Sequence, residues 1–181
     1  MTIKIDHINV DRSENPGFWY LWTIDFNNTF RYLFGELEKF LQKKTHNINT
    51  DSPIPSNVVM WHIYAHTLEL YMKTFLLSVR TVPFKDIRNI YGHDLEELRK
   101  KCAETEPKFK NSILTWITQD IKKFTKIDWE YIKYPPKFPP LGKNPKRKDI
   151  QRLPPMYGKK TMIPPLDLLE EIVKPLVYIY D

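Results

Sequence analysis

The sequence contains few of the residues on which several common fold classes depend. Only five of its 181 residues are glycine, and valine and threonine do not alternate in long runs. Both features argue against a β-sandwich and against a glycine-rich nucleotide-binding loop. The single cysteine, Cys102, excludes an internal disulfide and a cysteine-based zinc site. It lies in a helical pattern, which favours a small buried side chain over a nucleophile.

Long apolar segments are also missing. No stretch reaches the ~18 uninterrupted apolar residues of a membrane span, and residues 1–12 lack the charged-then-apolar order of a signal peptide. We therefore expect no membrane partner and a cytoplasmic location. Apolar residues make up 41% of the chain and aromatic residues 14%, which is enough for the core of one folded domain.

Apolar residues recur at helical spacing in the first half of the chain. Asn15 and Pro16, a capping residue followed by proline, predict the start of a first helix that ends near Lys44. A second helix is predicted from a cap at Ser56 or Asn57 to a break at Pro83. The apolar positions of the two are Phe26, Phe30, Leu33, Phe34, Leu37 and Leu41, then Val58, Trp61, Ala65, Leu68, Met72, Leu76 and Val79.

Two further helices follow. Asp94 and Glu97 form a capping box at the start of the third, and Pro107 opens the fourth. Their inner faces are predicted at Leu95, Leu98 and Cys102, and at Phe109, Ile113, Trp116, Ile117, Ile121 and Phe124. Four helices with short connections predict an all-α, antiparallel bundle over residues 16–132. We expect the following side chains to be largely buried: Trp61, Leu68, Met72, Trp116 and Ile117.

The composition changes after the bundle. Residues 134–165 hold nine of the fifteen prolines, which argues against a regular helix or strand there. Residues 133–160 carry nine lysines and arginines against one acid, a net charge of +8, whereas the whole chain is +6, so the remainder sums to −2. We therefore predict a proline-rich basic extension at 133–165, followed by a short helix within 166–181 that packs on the bundle.

Two short motifs in the bundle resemble those of a known family. Glu69 to Lys73 follows an ElxxK pattern, and residues 92–98 read GHDLEEL, matching GHDLxxL. Over roughly residues 20–134 the chain resembles the HEPN family, small all-helical domains found in prokaryotic toxin–antitoxin pairs and RNA-cleaving nucleases. The resemblance implies a homodimer and an RNA- or nucleotide-associated binding or regulatory role, in a toxin–antitoxin or phage-defence setting. A cognate antitoxin protein is then a further partner.

The segment from Arg88 to His93 fits the R-x4-6-H pattern of HEPN nucleases, with the polar Asn89 after the arginine. The resemblance implies metal-independent RNA cleavage in which His93 moves a proton and Arg88 holds the scissile phosphate. The alternative is structural, because Gly92 and Asp94 predict a loop-to-helix corner where His93 hydrogen-bonds a neighbouring backbone group. A purely structural dimerisation module is a third interpretation.

Glu69 and Lys73 stand at i and i+4, a spacing that predicts an ion pair. The resemblance implies that these positions lie near the groove between helices, where a polar network that includes His66 and His93 is expected, for structure or for ligand binding. The spacing of His62, His66 and Glu69 can place three metal ligands on one helix face. Since no H-E-x-x-H arrangement or second ligand cluster accompanies them, we predict no metal and no cofactor.

The basic extension supplies a separate candidate surface. Lys133 stands where an RYP-like family ending carries arginine, which keeps a cation for phosphate but loses the bidentate fork. Tyr134 and Tyr157 alternate with cations, a mixture typical of single-stranded RNA binding. An extended wrap over the bundle and a partner-binding arm are the alternatives. The predicted RNA contacts are Lys143, Lys146, Arg147, Lys148 and Arg152.

The aromatic content exceeds what a small bundle easily hides. Trp19, Tyr20 and Trp22, near the start of the first helix, are the candidates for the excess. Exposed apolar patches usually mark interfaces, so we expect these residues to contribute to a dimer.

Overall fold

The computed structural model describes residues 14–45, 57–89, 92–121 and 157–177. Helices are the only regular secondary structure in these ranges, which confirms the predicted all-α class. The elements are α1 Pro16–Thr45, α2 Asn57–Val79, α3 Phe84–Asn89, α4 Leu95–Thr105, a 3-10 helix Pro107–Lys110, α5 at 112–121 and α6 Lys159–Val177. No helix in the described ranges is long and apolar enough to cross a membrane.

The helix α2 is the centre of the bundle. It contacts α1, α3, α4 and α6, and most of its side chains are buried around the whole circumference. Leu68, Met72 and Leu76 are fully buried, and Trp61 is nearly so. A helix that is apolar on all sides needs neighbours on all sides, which explains its central position.

The inner face of α1 differs from the predicted stripe. Phe30, Phe34 and Leu37 are buried, but Leu41 is exposed. The inward face continues toward the start of the helix through polar positions, because Thr23 Oγ1 meets Thr74 Oγ1 at 3.3 Å and Asn27 Nδ2 donates to Tyr71 Oη at 3.1 Å. The same orientation of α1 also buries Tyr20 and leaves Trp22 exposed. The expectation that Tyr20 is part of an exposed patch is therefore wrong.

The predicted fourth helix is interrupted after its first turn. The 3-10 helix Pro107–Lys110 ends at Asn111, whose Oδ1 accepts hydrogen bonds from the amides of Ile113 and Leu114 and so starts α5 as a new helix. The restart turns Leu114 and Ile117 inward and leaves Ile113 and Trp116 exposed. The predicted burial of Trp116 is wrong for this reason, whereas that of Trp61, Leu68, Met72 and Ile117 is confirmed.

The last helix, α6, begins at Lys159 rather than at the predicted Leu166 and includes Pro164 and Pro165. Proline removes an amide donor, so the carbonyls of Lys160 and Thr161 lose their usual helical partners. Both carbonyls lie in the first turn, close to solvent, where that loss is small. Burial of side chains one turn later offsets the loss, and α6 lies against α1 and α2. The buried apolar side chains of α6 are Met162, Pro165, Leu166, Leu169, Ile172 and Val173.

Candidate functional site

The central feature of the candidate site is a buried ion pair on α2. Glu69 and Lys73 lie one turn apart, with the Nζ atom 2.6 Å from Oε1. Only 2% of Glu69 and 6% of Lys73 is exposed. Lys73 neutralises the carboxylate, so the pair adds no net charge to the site. Because both charges have left water, each needs the other far more than the partners of a surface ion pair do.

A turn before α4 brings His93 to this pair. Gly92 adopts a positive φ of 48°, a conformation that glycine takes at little cost. Asp94 then caps α4 by accepting hydrogen bonds from the amides of Glu96 and Glu97, both at 3.1 Å. Between these two residues, His93 Nδ1 lies 3.0 Å from Oε1 and 2.9 Å from Oε2 of Glu69.

The imidazole of His93 connects the buried pair to the surface. Its side chain is 48% exposed, whereas the carboxylate that holds it is buried. Since Nδ1 faces Glu69, proton exchange with a bound molecule would go through Nε2. The arrangement therefore fixes the tautomer and the direction of an accessible histidine.

The second histidine beside Glu69 acts at longer range. His66 Nδ1 lies 3.8 Å from Oε2, too far for a hydrogen bond, so its influence is electrostatic. Its ring meets the edge of Phe26, with ring centres 4.6 Å apart, and lies nearly parallel to that of His62 at 6.2 Å. Burial, followed by the charge of His66, lowers the pKa of His62 below its ordinary value.

The ionisation of Glu69 depends on these neighbours. Burial by itself raises the pKa of the carboxyl, but the interactions with His66, His93 and Lys73 together outweigh it. The pKa of Glu69 therefore lies well below its ordinary value, and the group is an anion at neutral pH. An anionic carboxylate favours a donating Nδ1–H on His93.

The structure brings together four of the predicted site residues, namely His66, Glu69, Lys73 and His93. It gives the backbone of Arg88 in α3, but the arginine side chain lies outside the described part of the chain. The remaining predicted residues also lie outside the described residues, namely Lys133, Lys143, Lys146, Arg147, Lys148 and Arg152. Within the described ranges, no cluster of three or more His, Cys, Asp or Glu side chains is arranged to hold a metal ion.

A second cluster, which the sequence pattern did not predict, joins α5 to the start of α6. The ring of Tyr157 packs 4.8 Å from that of Trp116 and 5.9 Å from that of Trp61, and its hydroxyl donates to Asp120 Oδ2 at 2.6 Å. Burial and this hydrogen bond raise the pKa of Tyr157 to about 12. Tyr157 is therefore an anchor, and the exposed ring is that of Trp116. The sequence signal for the orientation of α5, which exposes Trp116, was the helix cap at Asn111.

Comparisons of the chain with protein-family models, with curated proteins and with solved structures found no match.

Proposed function

We propose that the chain is an antiparallel, HEPN-like bundle that binds RNA or a nucleotide and has a regulatory role, in a toxin–antitoxin or phage-defence setting. The observation that carries the proposal is the contact of the half-exposed His93 with both oxygens of the buried Glu69. The GHDL motif and the ElxxK motif meet at this contact, although 24 residues separate the two side chains in sequence.

The geometry supports a phosphate-binding role for His93. An imidazole held by a carboxylate is a directed donor, and a donor that carries charge forms the stronger class of hydrogen bond to phosphate oxygens. Lys73 compensates the charge of Glu69, so the buried carboxylate repels an anionic ligand less than an isolated one would. Glu69 and Lys73 are themselves too buried to meet a ligand, and they act by positioning the ring.

The proposal is tested by binding measurements on two ligands, a fluorescent single-stranded RNA and ATP. Replacing His93 with alanine should weaken binding of one of them by about tenfold, the effect of losing one charged hydrogen bond. Asn28→Ala, which removes an exposed polar side chain of α1, is the control and should bind as the wild type does. Failure of the wild type to bind either ligand, or unchanged binding by His93→Ala, would contradict the proposal.

A metal-independent endoribonuclease is the second candidate, and the fixed Nδ1 of His93 favours it. A histidine oriented through one nitrogen is arranged for general acid–base chemistry through the other. In that case the wild type degrades a mixed RNA pool in the presence of EDTA, and His93→Ala and Arg88→Ala do not. Glu69→Gln should lower the rate, because a neutral amide holds the imidazole of His93 less firmly than the carboxylate does.

A further inference from the structure

We propose that Trp116, with Lys159 and Lys160, forms a site at which single-stranded nucleic acid stacks a base on the indole and places its phosphates near the ammonium groups. The inference rests on the proposed RNA association and names a surface for it. The site adjoins Trp61 on α2, which precedes Glu69 by about two helical turns.

The indole of Trp116 is held in place before any ligand arrives. It is 42% exposed, and the exposed Ile113 lies one turn before it on α5. Tyr157 supports the ring from the protein side and is itself fixed by its hydrogen bond to Asp120. A supported aromatic ring loses little conformational entropy on binding, which is the property of a stacking platform.

The charges beside the platform suit a phosphate chain. Lys159 and Lys160 follow Tyr157 after one glycine, both are exposed, and neither forms an ion pair with a carboxylate of the described residues. The first turn of α6 contains no acidic residue. The nearby acid, Asp120, is largely buried and accepts the Tyr157 hydrogen bond.

The sequence that precedes these two lysines is also positively charged. They end the segment 133–160, whose net charge is +8, whereas the rest of the chain sums to −2. The positive charge by itself would also suit an acidic protein as the partner. The exposed indole of Trp116 contacts Tyr157, and the two exposed lysines that follow Tyr157 form no ion pair among the described residues. This combination matches a ligand that has flat bases and phosphates in alternation, which favours a single-stranded nucleic acid.

The test is a fluorescence-anisotropy titration of the full chain with a labelled uridine oligonucleotide of about 12 nucleotides. Trp116→Ala should weaken binding by about 5- to 150-fold, the range for the loss of one stacked base. Trp116→Phe keeps an aromatic face and should retain most of the affinity. The matched control is Tyr32→Ala, which removes an exposed aromatic side chain of α1 and should bind as the wild type does.

The lysines are tested through the salt dependence of the same titration. Lys159→Gln with Lys160→Gln should reduce the slope of log affinity against log salt by about 1.4, since each single-strand phosphate contact contributes about 0.7. Lys85→Gln with Lys174→Gln removes the same charge from exposed positions on other surfaces and should change the slope less. This control separates a local contact from the effect of net charge.

The outcomes distinguish the site from the general proposal. If the wild type binds RNA, and Trp116→Ala and the Lys159/Lys160 double variant bind as it does, the site is wrong but the proposed RNA association stands. If the wild type does not bind the oligonucleotide, this site is wrong, and binding of ATP then decides whether the proposed function survives. Circular dichroism melting of each variant checks folding, and the double lysine variant tests the site even if Trp116→Ala unfolds.

Discussion

The ion pair between Glu69 and Lys73 gives the sharpest test of the structure, because the two residues differ in their number of partners. Glu69→Gln preserves the shape of the side chain and an acceptor for His93 but leaves the ammonium group of Lys73 without a counter-charge. Lys73 is 6% exposed and its only polar partner in the described structure is Glu69, 2.6 Å away. Removing one partner of such a buried pair costs about 3–5 kcal/mol of unfolding free energy.

The opposite change should cost less. Lys73→Met removes the ammonium group and fills its space, and the carboxylate of Glu69 keeps His93 at hydrogen-bond distance and His66 at 3.8 Å. The double variant Glu69→Gln with Lys73→Met leaves no unpaired charge. It should therefore be more stable than the sum of the single effects indicates, with a coupling of roughly 1–3 kcal/mol.

Guanidinium unfolding followed by circular dichroism measures all four proteins, and a shift of the midpoint without a change in slope reports stability. Glu104→Gln is the matched control, since it breaks the surface pair of Glu104 with Lys101 and should have little effect. Equal losses in Glu69→Gln and Glu104→Gln would refute the argument, because they would show that the buried pair is solvated like a surface pair.

Four further results are expected. Leu68→Ala should cost about 2–5 kcal/mol and the exposed Leu41→Ala under about 0.5 kcal/mol; equal melting temperatures would contradict this packing. Because burial raises the pKa of the Cys102 thiol, iodoacetamide should modify it only in denaturant, and rapid labelling of the native protein would count against its burial. Because folding lowers the pKa of Glu69, this residue stabilises the fold fully above its ordinary pKa of about 4 and progressively less as the pH falls below that value. The unfolding free energies of wild type and Glu69→Gln should therefore converge as the pH falls below about 4. A difference between them that stays constant with pH would contradict this linkage. Sedimentation at micromolar concentration should give a dimer that Trp22→Ser weakens, and a wild-type monomer would end the dimer hypothesis.

Several features could be predicted from the sequence because they depend on neighbours in the chain. Asn15 Oδ1 accepts from the Gly17 amide at 2.8 Å, and Asp94 caps α4, as their residue types and positions indicate. The helical spacing of the apolar residues in α2 likewise predicted the buried positions of Leu68 and Met72. Both kinds of inference use contacts within one helix or the helical period itself.

Part of the candidate site could also be predicted from the sequence. The i,i+4 spacing of Glu69 and Lys73 predicted their pairing, and the motif comparison suggested His93 as a third member. The spacing could not give the burial of the pair, which keeps both side chains away from solvent. Burial depends on what the other helices cover, and no local pattern contains that information.

The sequence by itself determined the helical class, the capped starts of α1 and α4, and the location of the basic charge, because each depends on local spacing or on composition. Only the tertiary structure decided which aromatic ring faces solvent. Packing against Trp61 on α2 drew Tyr157 inward and left the indole of Trp116 as the exposed ring of this cluster. Only the tertiary structure also brought His93 to Glu69, because a hydrogen bond between different helices depends on how those helices pack, and the sequence period of either one does not specify that packing.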